Sequence, residues 1–204
     1  MNTQGSNTLK GVYLLDKIRK IGDQAFYKQT GMTDVALNIE DLNATSILPK
    51  SIKEIGANAY AGDVVVACQF NISALPAELT TLGDKAFYRG GSNITFRNLP
   101  ATLTSIPEYA FAYCPNITID RFDSIGNTPF TIGKGAFYQV SRIGTHSTVL
   151  GIYLGNNVSR IGENAFTNYG ATDNLPAYTT KEFNDIFVGV NSGISLTKWT
   201  GASA

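Results

Sequence analysis

Six copies of the pattern Ile-Gly-x-x-Ala-Phe limit what this chain can fold into more than any other feature. They run from Ile21-Gly22 to Ala25-Phe26, Ile55-Gly56 to Ala59-Tyr60 and Leu82-Gly83 to Ala86-Phe87. Ile106-Pro107 to Ala110-Phe111, Ile132-Gly133 to Ala136-Phe137 and Ile161-Gly162 to Ala165-Phe166 complete the set. The alanines at 25, 59, 86, 110, 136 and 165 are separated by 34, 27, 24, 26 and 29 residues. Self-similarity at about 20–50 residues is the mark of a solenoid, whose units pack only on their neighbours. The 34-residue step implies an insertion between Thr30 and Thr45.

Within the motif, Pro107 stands where the other copies have glycine, so that position cannot demand a positive φ. Proline followed by Glu108 suits the first turn of a helix, and the motif is expected to open a short helical segment. The alanine lets coils approach each other. The aromatic beside it places Phe26, Tyr60, Phe87, Phe111, Phe137 and Phe166 in one structural spine.

A second recurring element has the form Asn-Ile-polar: Asn38-Ile39-Glu40, Asn71-Ile72-Ser73, Asn93-Ile94-Thr95 and Asn116-Ile117-Thr118. One apolar residue between two polar ones is the period of a half-exposed strand. The first coil carries Val12 and Leu14 with Tyr13 on the other face, and the fifth carries Val149, Ile152 and Leu154 with Tyr153 outward. Corners follow at Leu48-Pro49, Leu75-Pro76 and Leu99-Pro100, where proline ends the strand, and at Ile125-Gly126 and Leu154-Gly155. After Tyr169 the pattern lapses. Residues 170–204 are expected to form a loop and a C-terminal cap, with a degenerate seventh repeat as the alternative; residues 1–8 are expected to fray.

The composite of Leu99-Pro100, Leu103, Ile106, Ala110-Phe111 and Cys114, restated from Leu9 through Phe26, resembles the BspA-type leucine-rich repeat. The resemblance covers residues 9–169. It departs from the family pattern where Tyr60 replaces Phe, and only the fourth copy carries the trailing cysteine. It implies a surface protein of host-associated bacteria or parasitic protists, acting in adhesion to host extracellular proteins or in cell–cell contact. The expected fold is a right-handed leucine-rich repeat solenoid of about six coils, with one short parallel strand and one short helical turn per coil. Six strands ~4.8 Å apart would give a sheet face roughly 29 Å across. Its candidate binding residues are Tyr13, Asn38, Glu40, Asn71, Ser73, Asn93, Thr95, Arg97, Asn116, Thr118, Asp120 and Tyr153.

Charge and chemistry narrow the function further. Sixteen basic residues balance sixteen acidic ones, and no basic stripe is visible, which argues against nucleic acid as partner. No stretch approaches the ~20 apolar residues of a membrane helix. The opening M-N-T-Q-G-S-N-T-L-K-G lacks the regions of a signal peptide. The chain is therefore either intracellular or a mature or excised piece, and the resemblance favours the second, at the cell surface or outside the cell.

No catalytic residue, metal site or cofactor is expected. His146, the only histidine, reads as a general base or, more commonly for such a loop, as a solvated side chain. Cys68 and Cys114 lie two coils apart, about 10 Å, too far for a disulfide; both are expected as free, buried thiols, and a Cys/His zinc site does not assemble. Glu40, Asp120 and Asp123 could serve a glycan-active hydrolase only as a correctly separated pair. Sequons begin at Asn43, Asn71, Asn93, Asn116 and Asn157, three of them by-products of the repeated Asn-Ile-Ser/Thr strand. Tyr27, Tyr88, Tyr113 and Tyr138 cluster around the spine residue, as contact groups for a protein or glycan or as edge packing. The alternatives to a non-catalytic adhesion module are a spacer or display stalk and, remotely, a glycan-active enzyme.

Overall fold

The computed structural model describes residues 11–12, 14–15, 17–29, 34–35, 48–62, 71–72, 74–90, 93–114, 117–121, 128–140, 158–166 and 195–196. Twelve short strands occur among them: β1 (Gly11–Val12), β2 (Lys20–Ile21), β3 (Asp34–Val35), β4 (Glu54–Ile55), β5 (Asn71–Ile72) and β6 (Thr81–Leu82), then β7 (Asn93–Asn98), β8 (Ser105–Ile106), β9 (Ile117–Arg121), β10 (Phe130–Ile132), β11 (Val158–Ile161) and β12 (Ser195–Leu196). All pairings are parallel, and no strand pairs with the next one in sequence except β10 with β11 and β11 with β12. That is the topology of a repeat solenoid.

Each regular coil supplies two strands where the sequence suggested one. One row contains β1 beside β3, and β5, β7 and β9 as a separate sheet. The other row is built by the isoleucine that opens each motif: β2, β4 and β6 form one sheet, and β8, β10, β11 and β12 another. The motif isoleucines and Leu82 point inward and are buried, while Lys20, Thr81 and Arg160 before them are exposed. In this row Lys20 pairs with Glu54 across the coils at 2.7 Å. The bond to Glu54 and its charge hold the Lys20 ammonium above its ordinary range. The tail contributes Ser195–Leu196, level with Arg160 and Ile161, so a seventh strand continues the row.

The helical turn expected after each glycine is replaced by linked tight turns. Numbering the motif from its glycine, the third residue of all six copies is left-handed: Gln24, Asn58, Lys85, Tyr109, Gly135 and Asn164 have φ between 53° and 58°. The seventh residue is left-handed again at Lys28, Arg89, Tyr113 and Gln139. An α-helix cannot tolerate that alternation.

Hydrogen bonding between coils explains it. The third, fifth and seventh N–H groups donate to the second, fourth and sixth carbonyls of the next coil. Lys85 N–H bonds to Glu108, Phe87 to Ala110 and Arg89 to Ala112, at 2.8–2.9 Å. The intervening N–H groups close local turns, as Ala86 does to Gly83 and Tyr88 to Lys85. The motif's backbone groups are thus satisfied without a helix. On the strand side the direction reverses: Gly56, Gly83, Gly133 and Gly162 donate back to Ile21, Ile55, Ile106 and Ile132.

The motif glycine sits where that reversal occurs, and space rather than φ requires it. A Cβ on Gly83 would collide with the backbone of Gly56 and Ala57 in the preceding coil. Pro107 is the exception, and it has a structural cost. It has no N–H to give to Leu82, and the strand row is interrupted between β6 and β8. The turn ladder crosses the gap unbroken, through Lys85 and Glu108.

The core fills the space between the strand rows and the turns. Leu48, Leu75 and Leu99 enter it at the corners, where Ile52, Leu79 and Leu103 N–H groups close turns onto Pro49, Pro76 and Pro100. Hydroxyls tie neighbouring coils at the margin: Ser51 donates to the Ile18 carbonyl, Thr80 to Lys53 and Thr102 to Leu79. The spine rings stack in one file, with successive centroids 5.0–5.5 Å apart and planes within 1–20° of parallel. That interval tracks the separation of about 4.8 Å between paired strands. Phe26, in the first coil, is only half-buried.

Candidate functional site

The residues expected to bind divide between those that the structure describes and those that it does not. Asn71 lies in β5, Asn93, Thr95 and Arg97 in β7, and Thr118 and Asp120 in β9. Register aligns Asn71 with Asn93 and Thr95 with Thr118. Because Phe96 faces Ile119 and Asn98 faces Arg121, Arg97 is level with Asp120. The ladder therefore brings these six positions together on three adjacent strands. Tyr13, Asn38, Glu40, Ser73, Asn116 and Tyr153 lie outside the described residues, as do Cys68, Asp123 and His146. The second strand of this row is Asp34–Val35, four residues before Asn38.

Cys114 is buried, and its thiol lies 3.0 Å from the carbonyls of both Phe87 and Gly90. This is an internal tie between the third and fourth coils. Among the described residues no group of three His, Cys, Asp or Glu side chains converges as a metal site would require.

A second assembly of side chains stands on the turn side. Tyr88, Tyr113 and Tyr138 follow one another with centroids 5.4 Å apart and planes crossed at 72°. Tyr109 meets the edge of Tyr138 at 6.4 Å. The Arg89 guanidinium carbon lies 4.6 Å from the Tyr113 centroid and 5.9 Å from that of Tyr88. Lys85 Nζ stands 6.0 and 5.9 Å from the rings of Tyr88 and Tyr109. All four tyrosines are half-buried, whereas Lys85 is exposed. At the first coil Tyr27 is exposed, with Lys28 Nζ 5.2 Å from its ring.

The sequence indicated Tyr27, Tyr88, Tyr113 and Tyr138 but missed Lys85, Arg89 and Tyr109. Its available signal was the shared third and seventh motif positions: Lys85 and Arg89 in one coil, Tyr109 and Tyr113 in the next. The fifth coil accommodates them. Gly135, also left-handed, lies so close under the Tyr109 ring that a Cβ there would collide with it.

Parallel two-row coils, an internal aromatic file and varied surface ladders define a repeat solenoid able to present extended surfaces. The BspA type leucine rich repeat region matches residues 4–62 and 38–172 in six copies, and the chain belongs to that family. No curated protein and no solved structure matches it. The family is generally surface-associated and generally serves as a non-catalytic binding module, with proteins as the usual ligands of such repeats. Among the described residues no helix is long and apolar enough to cross a membrane.

Proposed function

We propose that this chain is a non-catalytic adhesion module of a cell-surface protein, binding proteins of a host or of a neighbouring cell. The observation supporting this reading is the β5–β7–β9 ladder, which aligns Asn71, Asn93, Thr95, Thr118, Arg97 and Asp120 in register. The motif repeats faithfully and builds the stack. Asn71 and Asn93 repeat from coil to coil, as do Thr95 and Thr118, whereas Arg97 and Asp120 differ at the same level, and a surface that discriminates partners needs such differences. Asn38, Glu40, Ser73, Asn116, Tyr13 and Tyr153 extend the proposed surface.

The test is a binding screen against immobilised host-matrix and cell-surface proteins, followed by the double variant Arg97→Ala/Asp120→Ala. Weakened binding with an unchanged melt supports the ladder as the site. Undiminished binding moves the site elsewhere. The continuous ring file favours a second reading, a stiff spacer displaying another domain; a screen that finds no protein partner supports it over adhesion.

A further inference from the structure

We infer that the tyrosine–cation patch on the turn side is a second interaction surface, fitted to an acidic segment of a protein partner. The patch comprises Lys85, Tyr88, Arg89, Tyr109, Tyr113 and Tyr138, drawn from three consecutive coils. Its residues stand on the tight turns of the motif, whereas the ladder is built on strands β5, β7 and β9.

Three observations support it. The first is the choice of residue at constrained positions. The stack imposes a left-handed backbone on the third and seventh motif residues, a conformation that is uncommon for bulky side chains. The fourth coil nevertheless places tyrosine at both, with φ of 53° at Tyr109 and 59° at Tyr113. Neither ring enters the core; both stay half-exposed. Local preference set aside without a gain in core packing is a reason to look for function.

The second is accommodation by the next coil. The absence of a side chain at Gly135 makes room for the Tyr109 ring, which reaches the edge of Tyr138. The third is charge. Lys85 and Arg89 each lie within about 6 Å of two rings of the patch. Tyrosine and arginine are the residues that most often dominate binding energy at protein interfaces, and tyrosine does so at low entropic cost. Two cations among four rings favour a ligand carrying carboxylates. Asp84 and Glu108, exposed and one residue before Lys85 and Tyr109, bound the patch with negative charge. The acidic groups of the partner must therefore seat on the tyrosine side, beside Lys85 and Arg89.

Selection from a phage-displayed library of random peptides of about twelve residues tests this on the intact chain. Selected peptides should be enriched in Asp and Glu, and their binding should weaken as salt rises. Arg89→Gln/Tyr113→Asn should lower their affinity tenfold or more, and Lys85→Gln alone should lower it severalfold. Gln and Asn already occupy equivalent left-handed positions at Gln24, Gln139, Asn58 and Asn164, so melts should match the wild type. Arg97→Ala/Asp120→Ala should leave these peptides bound, which separates this surface from the ladder. The inference fails if no peptide is enriched, if enriched peptides show no acidic excess, or if the Arg89/Tyr113 variant binds them equally. Binding of heparin without any acidic peptide likewise overturns it, since the ligand would then be a sulfated glycan.

Discussion

Two files of aromatic rings climb this solenoid at nearly the same interval, yet their geometries are opposite. Inside, Tyr60, Phe87, Phe111 and Phe137 repeat at 5.3–5.5 Å with planes 1–8° from parallel. On the turn surface, Tyr88, Tyr113 and Tyr138 repeat at 5.4 Å with planes at 72°. The inner rings all come from the fifth motif position, so each coil translates the previous ring along the axis. Parallel rings that touch at that centroid distance are offset, an arrangement that aromatic quadrupoles accept. The outer rings come from unlike positions, the sixth in Tyr88 and Tyr138 and the left-handed seventh in Tyr113. Repetition makes a core, whereas departure from it makes a surface with features of its own.

The largest expected effect follows from removing one member of the inner file. Phe111→Ala, in a central coil, should destabilise by about 3–5 kcal/mol in denaturant unfolding, because the rings above and below hold the cavity open. A melting shift of only a degree or so would mean that the file carries little of the stability. Next comes the spacing that the file depends on. Gly83→Ala drives a Cβ into the backbone of Gly56 and Ala57 and should cost ~1–3 kcal/mol. Gly22→Ala, with nothing within 4 Å, should be nearly neutral. Equal effects at the two sites would show that close approach between coils is not why the motif needs glycine.

Much of this was legible because size and period are written directly into the residues. Leu48, Leu75, Leu99, Ile52, Leu79, Leu103 and the spine aromatics recur at fixed offsets, and all the described members but Phe26 are buried. The absence of a φ requirement at the glycine could be read from Pro107. The actual requirement, a close neighbouring backbone, could not, since it belongs to the coil before. Nor could the alternating hand of the turns. Gln24, Lys85 and Tyr109 are poor advertisements for a left-handed backbone, and only the N–H donation to the next coil imposes it. The strand row at Lys20–Ile21 and Glu54–Ile55 was hidden because two residues show no period. The candidate ladder was visible as recurring Asn-Ile pairs, whereas the turn-side patch needed three coils superposed before its cations met its rings.

A third test uses the one hydroxyl in the inner file. Burial pushes the Tyr60 phenol above its ordinary value of 10.0. Its neutral form is thus favoured by the folded state, so the stability linked to it is fully present below pH 10. It is lost as pH rises, because the unfolded chain ionises there while the folded chain does not. Above pH 10 this single group should lower stability by about 1.4 kcal/mol per pH unit. The difference between wild type and Tyr60→Phe, followed by urea unfolding from pH 8 to 11, isolates it from the other tyrosines and lysines. Parallel profiles for the two proteins would mean that the Tyr60 hydroxyl is not held in an apolar site.

The smallest expected effect bears on the outer file. Tyr113→Asn relieves an aromatic residue of a left-handed backbone, a conformation unfavourable by roughly 1–2 kcal/mol for most side chains and less so for asparagine. It also removes two edge contacts with Tyr88 and Tyr138, each worth about 0.5–1.5 kcal/mol, and the guanidinium contact with Arg89. At half-exposed rings these contacts fall at the low end of their ranges and roughly offset the relief, so unfolding should change by less than about 1 kcal/mol. A loss approaching that of Phe111→Ala would make the outer file a structural brace, built for the stack rather than for a partner. A near-zero change would leave the two files as different in purpose as they are in geometry, with the inner one required for folding and the outer one open to recognition.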